Sequence, residues 1–300
     1  MYDILIIGSG CAGLSAAVYA SRAKLNFAVI EKEYMGTGQI AFTEKVDNYL
    51  GYYGIDGFSL GEKFREHAES LGTEFIEGEV TGFEKSENGW NVILSDGNIF
   101  HAKAVIYAAG SHPKTLDIAG EKEFSGRGVS YCALCDGAFF SEKTVVVIGG
   151  GDTALEDALY LSNLAEKVYL VHRRDKFRAN RSLQEKISET PNIHVVFNAV
   201  PVEILGSDSV NSIKIIQDNE EKMLSTDGVF IAVGTVPNTE PVKKTTDIDS
   251  RGYIIAGEDC ITSAENFFAA GDVRTKNLRQ VITAAADGAN AVMSALCNIR

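Results

Sequence analysis

The same pattern of strand, glycine-rich turn and helix occurs twice in this chain of 300 residues. Residues 2–8 form a short apolar run that leads into the turn GSGCAG, and the alanine-rich stretch 14–23 follows. Residues 144–148 lead in the same way into GGGDTA, followed by the helical stretch 155–163. A single G-x-G-x-x-G motif is a weak signal, but a strand before it and a helix after it are the context that supports it. Two copies in that context predict two βαβ units.

Each turn has the features that bind the pyrophosphate of a dinucleotide. Glycine permits the tight turn and a close approach of the backbone, and the first N–H groups of the following helix favour an anion. We therefore expect one dinucleotide in each unit. The residues concerned are Gly8, Gly10 and Gly13 in the first unit, and Gly149, Gly150, Gly151, Asp152 and Thr153 in the second.

The end of the second strand in each unit indicates which nucleotide binds. Glu31 follows Gly8 at the offset where an acid accepts both ribose hydroxyls, so the first site suits an unphosphorylated adenosine ribose. The same offset from Gly149 reaches His172, within the sequence HRRDKFR. Arg173, Arg174 and Arg178 can neutralise and hold a 2′-phosphate, which predicts NADPH rather than NADH. The alternative is a solvated basic loop.

Three further apolar strands complete the organisation. Two of them end in Gly110 and Gly234, each after alternating segments typical of a β-meander, and a third leads into Gly271 and Asp272. Gly110 is a further candidate cofactor contact. We predict an α/β chain of two Rossmann-like three-layer dinucleotide-binding domains, the second inserted into the first. The first comprises residues 1–112 and 240–300, the second residues 113–239, and the proline-bearing segments near both crossings serve as linkers.

Composition excludes several classes of partner. Acidic residues outnumber basic ones 41 to 28, and the net charge of −13 argues against nucleic acid. No apolar run approaches the ~18 residues of a membrane helix. Asp3 stands where a signal peptide would be basic, so we expect a cytoplasmic protein without a membrane anchor.

Of the five cysteines, only Cys132 and Cys135 lie close in sequence. This C-x-x-C pair suggests either redox chemistry or a metal site. A structural zinc ion normally has four ligands, and no second pair lies nearby, so the redox interpretation is favoured. Asp136 is the candidate proton donor and acceptor beside the sulfurs. Its alternative role is that of an ordinary carboxylate at the start of a helix.

Four segments together resemble the low-molecular-weight bacterial thioredoxin reductases over essentially the whole chain. They are GSGCAG, CALCDG, GGGDTA with HRRDKFRA, and FFAAGDVR with RQV. The resemblance implies a homodimer that binds FAD in the domain of Glu31 and NADPH in the inserted domain. The additional flavin contacts that it implies are Gln39, Asn48, Gly271, Asp272, Arg279, Gln280 and Val281.

The resemblance also implies a reaction. Electrons pass from NADPH through FAD to a Cys132–Cys135 disulfide and then to the disulfide of thioredoxin. In this reaction the sulfur of Cys135 faces the flavin, and the sulfur of Cys132 attacks the protein substrate. Asp136 donates and accepts the proton. Because the cysteines and the NADPH turn share one domain, that domain is expected to rotate about crossings near 112–116 and 236–241.

Two alternatives remain open from the residues. A ferredoxin-driven reductase or a dithiol oxidase of the same fold would not need the arginine cluster. A dinucleotide-sensing or scaffolding flavoprotein would not need the cysteine pair. Three departures from the family pattern bear on which electron donor the protein uses. Cys11 and Leu50 stand where proline is common, and the spacing from Gly36 to Gln39 is unusual.

Overall fold

The computed structural model describes residues 1–33, 38–43 and 45–299. The chain divides into two compact units. The first comprises Met1–Phe42, Tyr49–His112 and Val236–Arg300, and the second comprises Thr43–Asn48 and Pro113–Thr235. The main crossings between units therefore follow His112 and precede Val236. Asn48, expected among the flavin contacts, belongs to the segment grouped with the second unit.

Both units are mixed α/β with parallel sheets, as the sequence predicts. The helices are α1 (Cys11–Arg22), α2 (Gly57–Ser70), α3 (Ala133–Asp136), α4 (Asp152–Ser162), α5 (Arg181–Glu189) and α6 (Val281–Asn298). The strands are β1 (Tyr2–Ile7), β2 (Phe27–Glu31), β3 (Glu74–Glu77), β4 (Val80–Ser86), β5 (Gly89–Leu94), β6 (Ile99–Tyr107), β7 (Ser111–Pro113), β8 (Val129–Ser130), β9 (Thr144–Gly149), β10 (Lys167–Val171), β11 (Ile193–Val196), β12 (Ala199–Gly206), β13 (Val210–Gln217), β14 (Glu220–Ser225), β15 (Gly228–Ala232), β16 (Thr235–Pro237) and β17 (Phe267–Ala269).

The sheet of the first unit has a parallel part and an antiparallel part that share β6. Strands β3, β2, β1, β6 and β17 run parallel in that order. The other end of β6 pairs with β5, and β5 pairs with β4, both antiparallel. The meander predicted before residue 105 is therefore this β4–β6 extension, and the parallel strands align their carboxyl ends along one edge.

Alternate residues of β1 build two cores in this unit. Ile4 and Ile6 pack with residues of α1 and α6, whereas Leu5 and Ile7 pack with Trp90 and other residues on the opposite face. Burial of each such side chain contributes about 1.5–3 kcal/mol. Since β1 is anchored on both faces, the position of the turn that follows it is fixed.

The second unit repeats this arrangement. Strands β11, β10, β9, β15 and β8 form a parallel sheet in that order, and β12, β13 and β14 form a separate antiparallel sheet. Val145 and Val147 of β9 pack with apolar residues of α4, while Val146 and Ile148 pack with those of β13. The glycine turn after β9 is thus held from both faces.

Within the described ranges, no helix has both the length and the apolar character needed to cross a bilayer.

Glycine is required where α6 meets α1. A Cβ atom at Gly288 would lie 2.1 Å from the Ala12 carbonyl oxygen and 2.8 Å from the Ala16 nitrogen. These are backbone atoms of α1, which cannot rotate away as a side chain could. The two helices can approach this closely only because Gly288 has no side chain.

We predict that Gly288→Ala lowers the free energy of unfolding by about 1–3 kcal/mol, because the added methyl group overpacks this contact. Thermal unfolding followed by circular dichroism measures the effect. Gly82→Ala is the matched control, since a Cβ there meets nothing within 4 Å. Equal melting temperatures for the two variants would show that the helices separate at little cost.

Candidate active site

Cys132 and Cys135 form a disulfide at the start of α3. Cys132 caps the helix with its sulfur, which lies 3.2 Å from the backbone N–H of Cys135. Both residues are half-buried. Because each sulfur is bonded to the other, the structure favours the redox interpretation of this pair over a metal site.

The carboxylate of Asp136 is held beside the disulfide by a residue that sequence reasoning missed. The Ser130 hydroxyl donates to Asp136 Oδ2 at 2.6 Å. The same hydroxyl oxygen accepts the N–H of Cys132 at 3.0 Å. A serine that ends a buried strand two residues before the C-x-x-C motif was the only available signal. The cysteine pair and its candidate acid therefore belong to one hydrogen-bonded segment.

The first glycine turn leaves no room for side chains. A Cβ at Gly8, where φ is +102°, would lie 2.6 Å from the Ala108 oxygen, and one at Gly13 would lie 1.8 Å from the Gly8 oxygen. Gly10 precedes α1 and supplies no side-chain cap, and among the described residues only Gly38 comes within 4 Å of a Cβ placed at Gly10. The start of α1 is therefore bare backbone, which suits a pyrophosphate.

Three buried side-chain atoms of this unit have no hydrogen-bond partner among the described residues: Oγ1 of Thr73, Oδ1 of Asp272 and Nε of Arg279. The last two belong to residues predicted to contact the flavin. Gly271 adopts φ +79°, and a Cβ there would lie 2.9 Å from the Ala12 Cβ, which shows how closely Asp272 is brought to α1. Such atoms are normally satisfied by a bound group. These residues fit the polar groups of a flavin dinucleotide.

The remaining predicted contacts of this unit lie as follows. The Arg279 guanidinium stacks over the Tyr253 ring at 4.1 Å from its centroid. Gln280 precedes α6, whose first residue is Val281, and donates its N–H to Thr283 Oγ1. The side-chain amide of Gln39 donates to the Ser111 carbonyl. Gly110 has φ +66°.

Glu31 binds a partner that the sequence did not suggest. Its two carboxylate oxygens accept from Nη1 of Arg65 at 2.8 and 2.6 Å, and the guanidinium stacks over Phe75 at 3.7 Å. Arg65 lies in the amphipathic α2, where a charged residue is typical of a solvated face. A carboxylate has about four acceptor positions, so Glu31 keeps capacity for ribose hydroxyls.

A buried ion network holds the segment that carries Asp272. Asp287 of α6 binds Arg274 through two hydrogen bonds of 2.9 and 2.7 Å, and Lys276 at 2.9 Å. Its Oδ2 also accepts the backbone N–H of Gly271 at 2.8 Å. An acid within the apolar α6 was the sequence signal for this network, and sequence reasoning overlooked it.

The second glycine turn also leaves no room for side chains at its first two glycines. A Cβ at Gly149 would lie 2.5 Å from the Ala232 oxygen, and one at Gly150 would lie 2.2 Å from His172 Nδ1. Among the residues that the structure describes, nothing lies within 4 Å of a Cβ at Gly151, which precedes α4 without a side-chain cap. This opening at a helix start fits a nucleotide phosphate. Thr153, in the first turn of α4, is exposed there.

The basic segment after β10 is tied to this turn. Arg178 donates its backbone N–H to the Gly150 oxygen at 2.8 Å. Burial lowers the pKa of His172, which keeps the ring neutral. Asp152 accepts the N–H of Asn180 at 2.7 Å and so fixes the end of the segment.

The three arginines of this segment are accessible to a ligand. Arg173, Arg174 and Arg178 are exposed, and over the described ranges none of them forms an ion pair. Exposed guanidinium groups close in sequence to a phosphate-binding turn can hold a second phosphate.

The departures from the family pattern differ in what the structure shows. Cys11 begins α1, and Leu50 is 92% exposed. The spacing from Gly36 to Gln39 falls largely outside the described residues.

Comparison with known proteins agrees with this geometry. The sequence pattern of the family described as pyridine nucleotide-disulphide oxidoreductase matches residues 2–288. The chain belongs to this family.

Relatives of this oxidoreductase at high coverage share one name. It is 42% identical to a thioredoxin reductase of Bacillus subtilis, over 98% of this chain and 93% of that protein. It is 42% identical to a thioredoxin reductase of Treponema pallidum, over 98% of this chain and 96% of that one. The crystal structure of thioredoxin reductase from Streptococcus pyogenes superposes with a TM-score of 0.94 at 41% identity, covering 99% of this chain and 98% of that chain. The resemblance read from the motifs is confirmed.

The oxidoreductase keeps two of its other thiols inert. Burial raises the pKa of both Cys11 and Cys260 to about 12, and the charge of Asp272 adds to the effect at Cys11. Cys297 is exposed. Only a thiolate is nucleophilic, so a raised pKa keeps both thiols protonated and unreactive near neutral pH.

We therefore predict that iodoacetamide at pH 8 alkylates Cys297 in the oxidised protein while Cys11 and Cys260 stay unmodified. Mass spectrometry of tryptic peptides measures the three sites, and Cys297→Ser provides the unlabelled control. Labelling of Cys11 as fast as Cys297 would mean that the thiol is not shielded.

Proposed function

We propose that this chain is a flavin-dependent thioredoxin-disulfide reductase that uses NADPH. The observation that carries the proposal is the Cys132–Cys135 disulfide, half-buried and followed directly by Asp136. The names of the full-length relatives support the same activity.

Each unit has residues for one cofactor. The first unit is proposed to hold FAD through its bare helix start at Gly8, Gly10 and Gly13, through Glu31, and through the buried atoms of Asp272 and Arg279. The other flavin contacts proposed are Gln39, Asn48, Gly110, Gly271, Gln280 and Val281. When bound, FAD accepts a hydride equivalent from NADPH and supplies the electron pair to the disulfide.

The second unit is proposed to hold NADPH by charge. The opening at Gly151 and the start of α4 suit the pyrophosphate, with Gly149, Gly150, Asp152 and Thr153 shaping it. Arg173, Arg174 and Arg178 then neutralise the 2′-phosphate, because a charged fork binds a phosphate oxygen pair strongly. His172, whose pKa is lowered by burial, lies beside Gly150 of this turn.

The protein's own groups complete the exchange. Reduction breaks the Cys132–Cys135 bond with two electrons, and the two sulfurs take up two protons. Cys132, as a thiolate, then attacks the thioredoxin disulfide, and the dithiol is reoxidised as thioredoxin is reduced. Asp136 is placed to hold or deliver the proton that each sulfur gains or loses.

The wider assignments follow the same family. We propose a cytoplasmic homodimer, and a rotation of the inserted domain about the crossings near 112–116 and 236–241 that lets disulfide and nicotinamide alternate. The two domains are taken as residues 1–112 with 240–300, and residues 113–239.

The proposed activity predicts separable steps for Cys132→Ser. Under anaerobic conditions NADPH should bleach the flavin of this variant as it does in the wild type. Turnover with a bacterial thioredoxin should fall by about a thousandfold or more, because the attacking sulfur is gone. Absorbance of flavin and of NADPH measures the two steps, and Cys297→Ser is the control. If NADPH does not bleach even the wild-type flavin, a ferredoxin-driven or oxygen-linked route replaces the proposal.

The arginine cluster predicts coenzyme selectivity. Replacing Arg173 and Arg174 by Ala should raise the KM for NADPH about tenfold to hundredfold, since charge-assisted hydrogen bonds to the 2′-phosphate are lost. The KM for NADH should change by about threefold or less. The double variant Lys186→Ala and Lys222→Ala removes the same charge from exposed positions of the same unit and serves as control. Equal losses for both coenzymes would show that the cluster does not recognise the phosphate.

A further inference from the structure

We infer that Ser130 is a positioning residue for the proton transfer at the redox disulfide, acting through Asp136. This inference rests on the proposed function. Ser130 ends β8 and is 5% exposed, so its hydroxyl cannot be served by bulk water and depends on protein partners. Those partners are the acid and one of the cysteines of the active site.

The direction of the hydrogen bonds follows from their chemistry. The backbone N–H of Cys132 can only donate, so at 3.0 Å it uses a lone pair of Ser130 Oγ. The hydroxyl has one proton, and two acceptors compete for it. Asp136 Oδ2 lies at 2.6 Å, whereas the Cys132 carbonyl lies at 3.3 Å. A short bond to a charged acceptor is the stronger of the two, so the proton points to Asp136.

The result is a chain of three groups, from the Cys132 N–H to the Ser130 hydroxyl to the Asp136 carboxylate. It fixes the carboxylate relative to the backbone of the attacking cysteine, not merely relative to α3. It also stabilises the charged carboxylate, since a donor to the ionised form favours that form. Ser130 therefore fixes the position of the group that takes a proton from Cys132, and its hydroxyl favours the charged form of that carboxylate.

Ionisable groups on the neighbouring elements must be separated from Asp136 in any titration. The α3 segment packs against α4, whose ionisable residues are Asp152, Glu156, Asp157 and Tyr160. Burial, with the charge of Glu156, raises the pKa of Asp157 to about 7. Tyr131 is engaged by Glu121 at 2.8 Å, and Lys45, near Phe139, pairs with Asp47. Asp157 is the one group here whose titration could imitate that of Asp136, so the test must separate them.

The test is the pH dependence of kcat/KM for thioredoxin in the FAD-loaded enzyme. Ser130→Ala should move the acid limb to higher pH by about one unit, because the carboxylate loses its donor and ionises less readily. Ser130→Thr keeps the hydroxyl and should restore the limb to within about 0.3 unit. Ser130→Val has nearly the shape of threonine without the hydroxyl and should shift like Ser130→Ala.

The threonine and valine pair removes folding from the comparison, because any cost of overpacking at this buried site is shared by both. Ser141→Ala, an exposed serine of the same segment, should leave the profile unchanged. In an Asp157→Asn background the Ser130→Ala shift should persist, which assigns it to Asp136.

Several results would overturn the inference. They are superimposable profiles for wild type and Ser130→Ala, equal shifts for threonine and valine, or loss of the shift in the Asp157→Asn background. A wild-type enzyme without thioredoxin turnover would instead overturn the proposed function. The two failures are therefore distinguishable.

Discussion

The close approach of backbone to backbone at the two glycine turns is the constraint on which the rest of the structure depends. At Gly13 and at Gly149 a Cβ atom would lie 1.8 and 2.5 Å from a carbonyl oxygen. Only glycine, which has no Cβ, can therefore occupy these two positions. This contact places the start of α1 and of α4 directly after a parallel strand. This packing leaves the first N–H groups of both helices without side-chain caps, and these N–H groups are available to bind a phosphate.

Buried charges then fix the loops around these turns. Glu31 with Arg65, and Asp287 with Arg274 and Lys276, are nearly inaccessible to solvent. Burying an ion costs several kcal/mol, so such groups persist only where hydrogen bonds compensate. Asp287 satisfies this by binding two cations and the Gly271 backbone at once. Its contribution is to orient the Gly271–Asp272 turn rather than to add stability.

Local pattern predicted the strands, turns and helices well, because each glycine turn and its flanking periodicity lie within about 30 residues. The cysteine pair was visible for the same reason. Hydrogen-bond partners that lie far apart in sequence, or that belong to no motif, were not predicted. Arg65 lies 34 residues after Glu31, and nothing in its own segment marks it as buried. Ser130 belongs to no recognisable motif. Its role depends on the turn that brings Asp136 back to the end of β8, where Ser130 lies.

The environment of each cysteine explains why five thiols can coexist with one redox site. Exchange with a disulfide requires a thiolate and access. Cys11 begins the helix that is proposed to hold the flavin pyrophosphate, where an ionised sulfur would repel the phosphates. Burial and the charge of Asp272 keep it protonated. Cys260 is fully buried and is suppressed in the same way. Cys297 is exposed but has no second cysteine near it in sequence. Cys132 and Cys135 differ from the other three in being bonded to each other and followed directly by Asp136, so the pair that can exchange has an acid beside it.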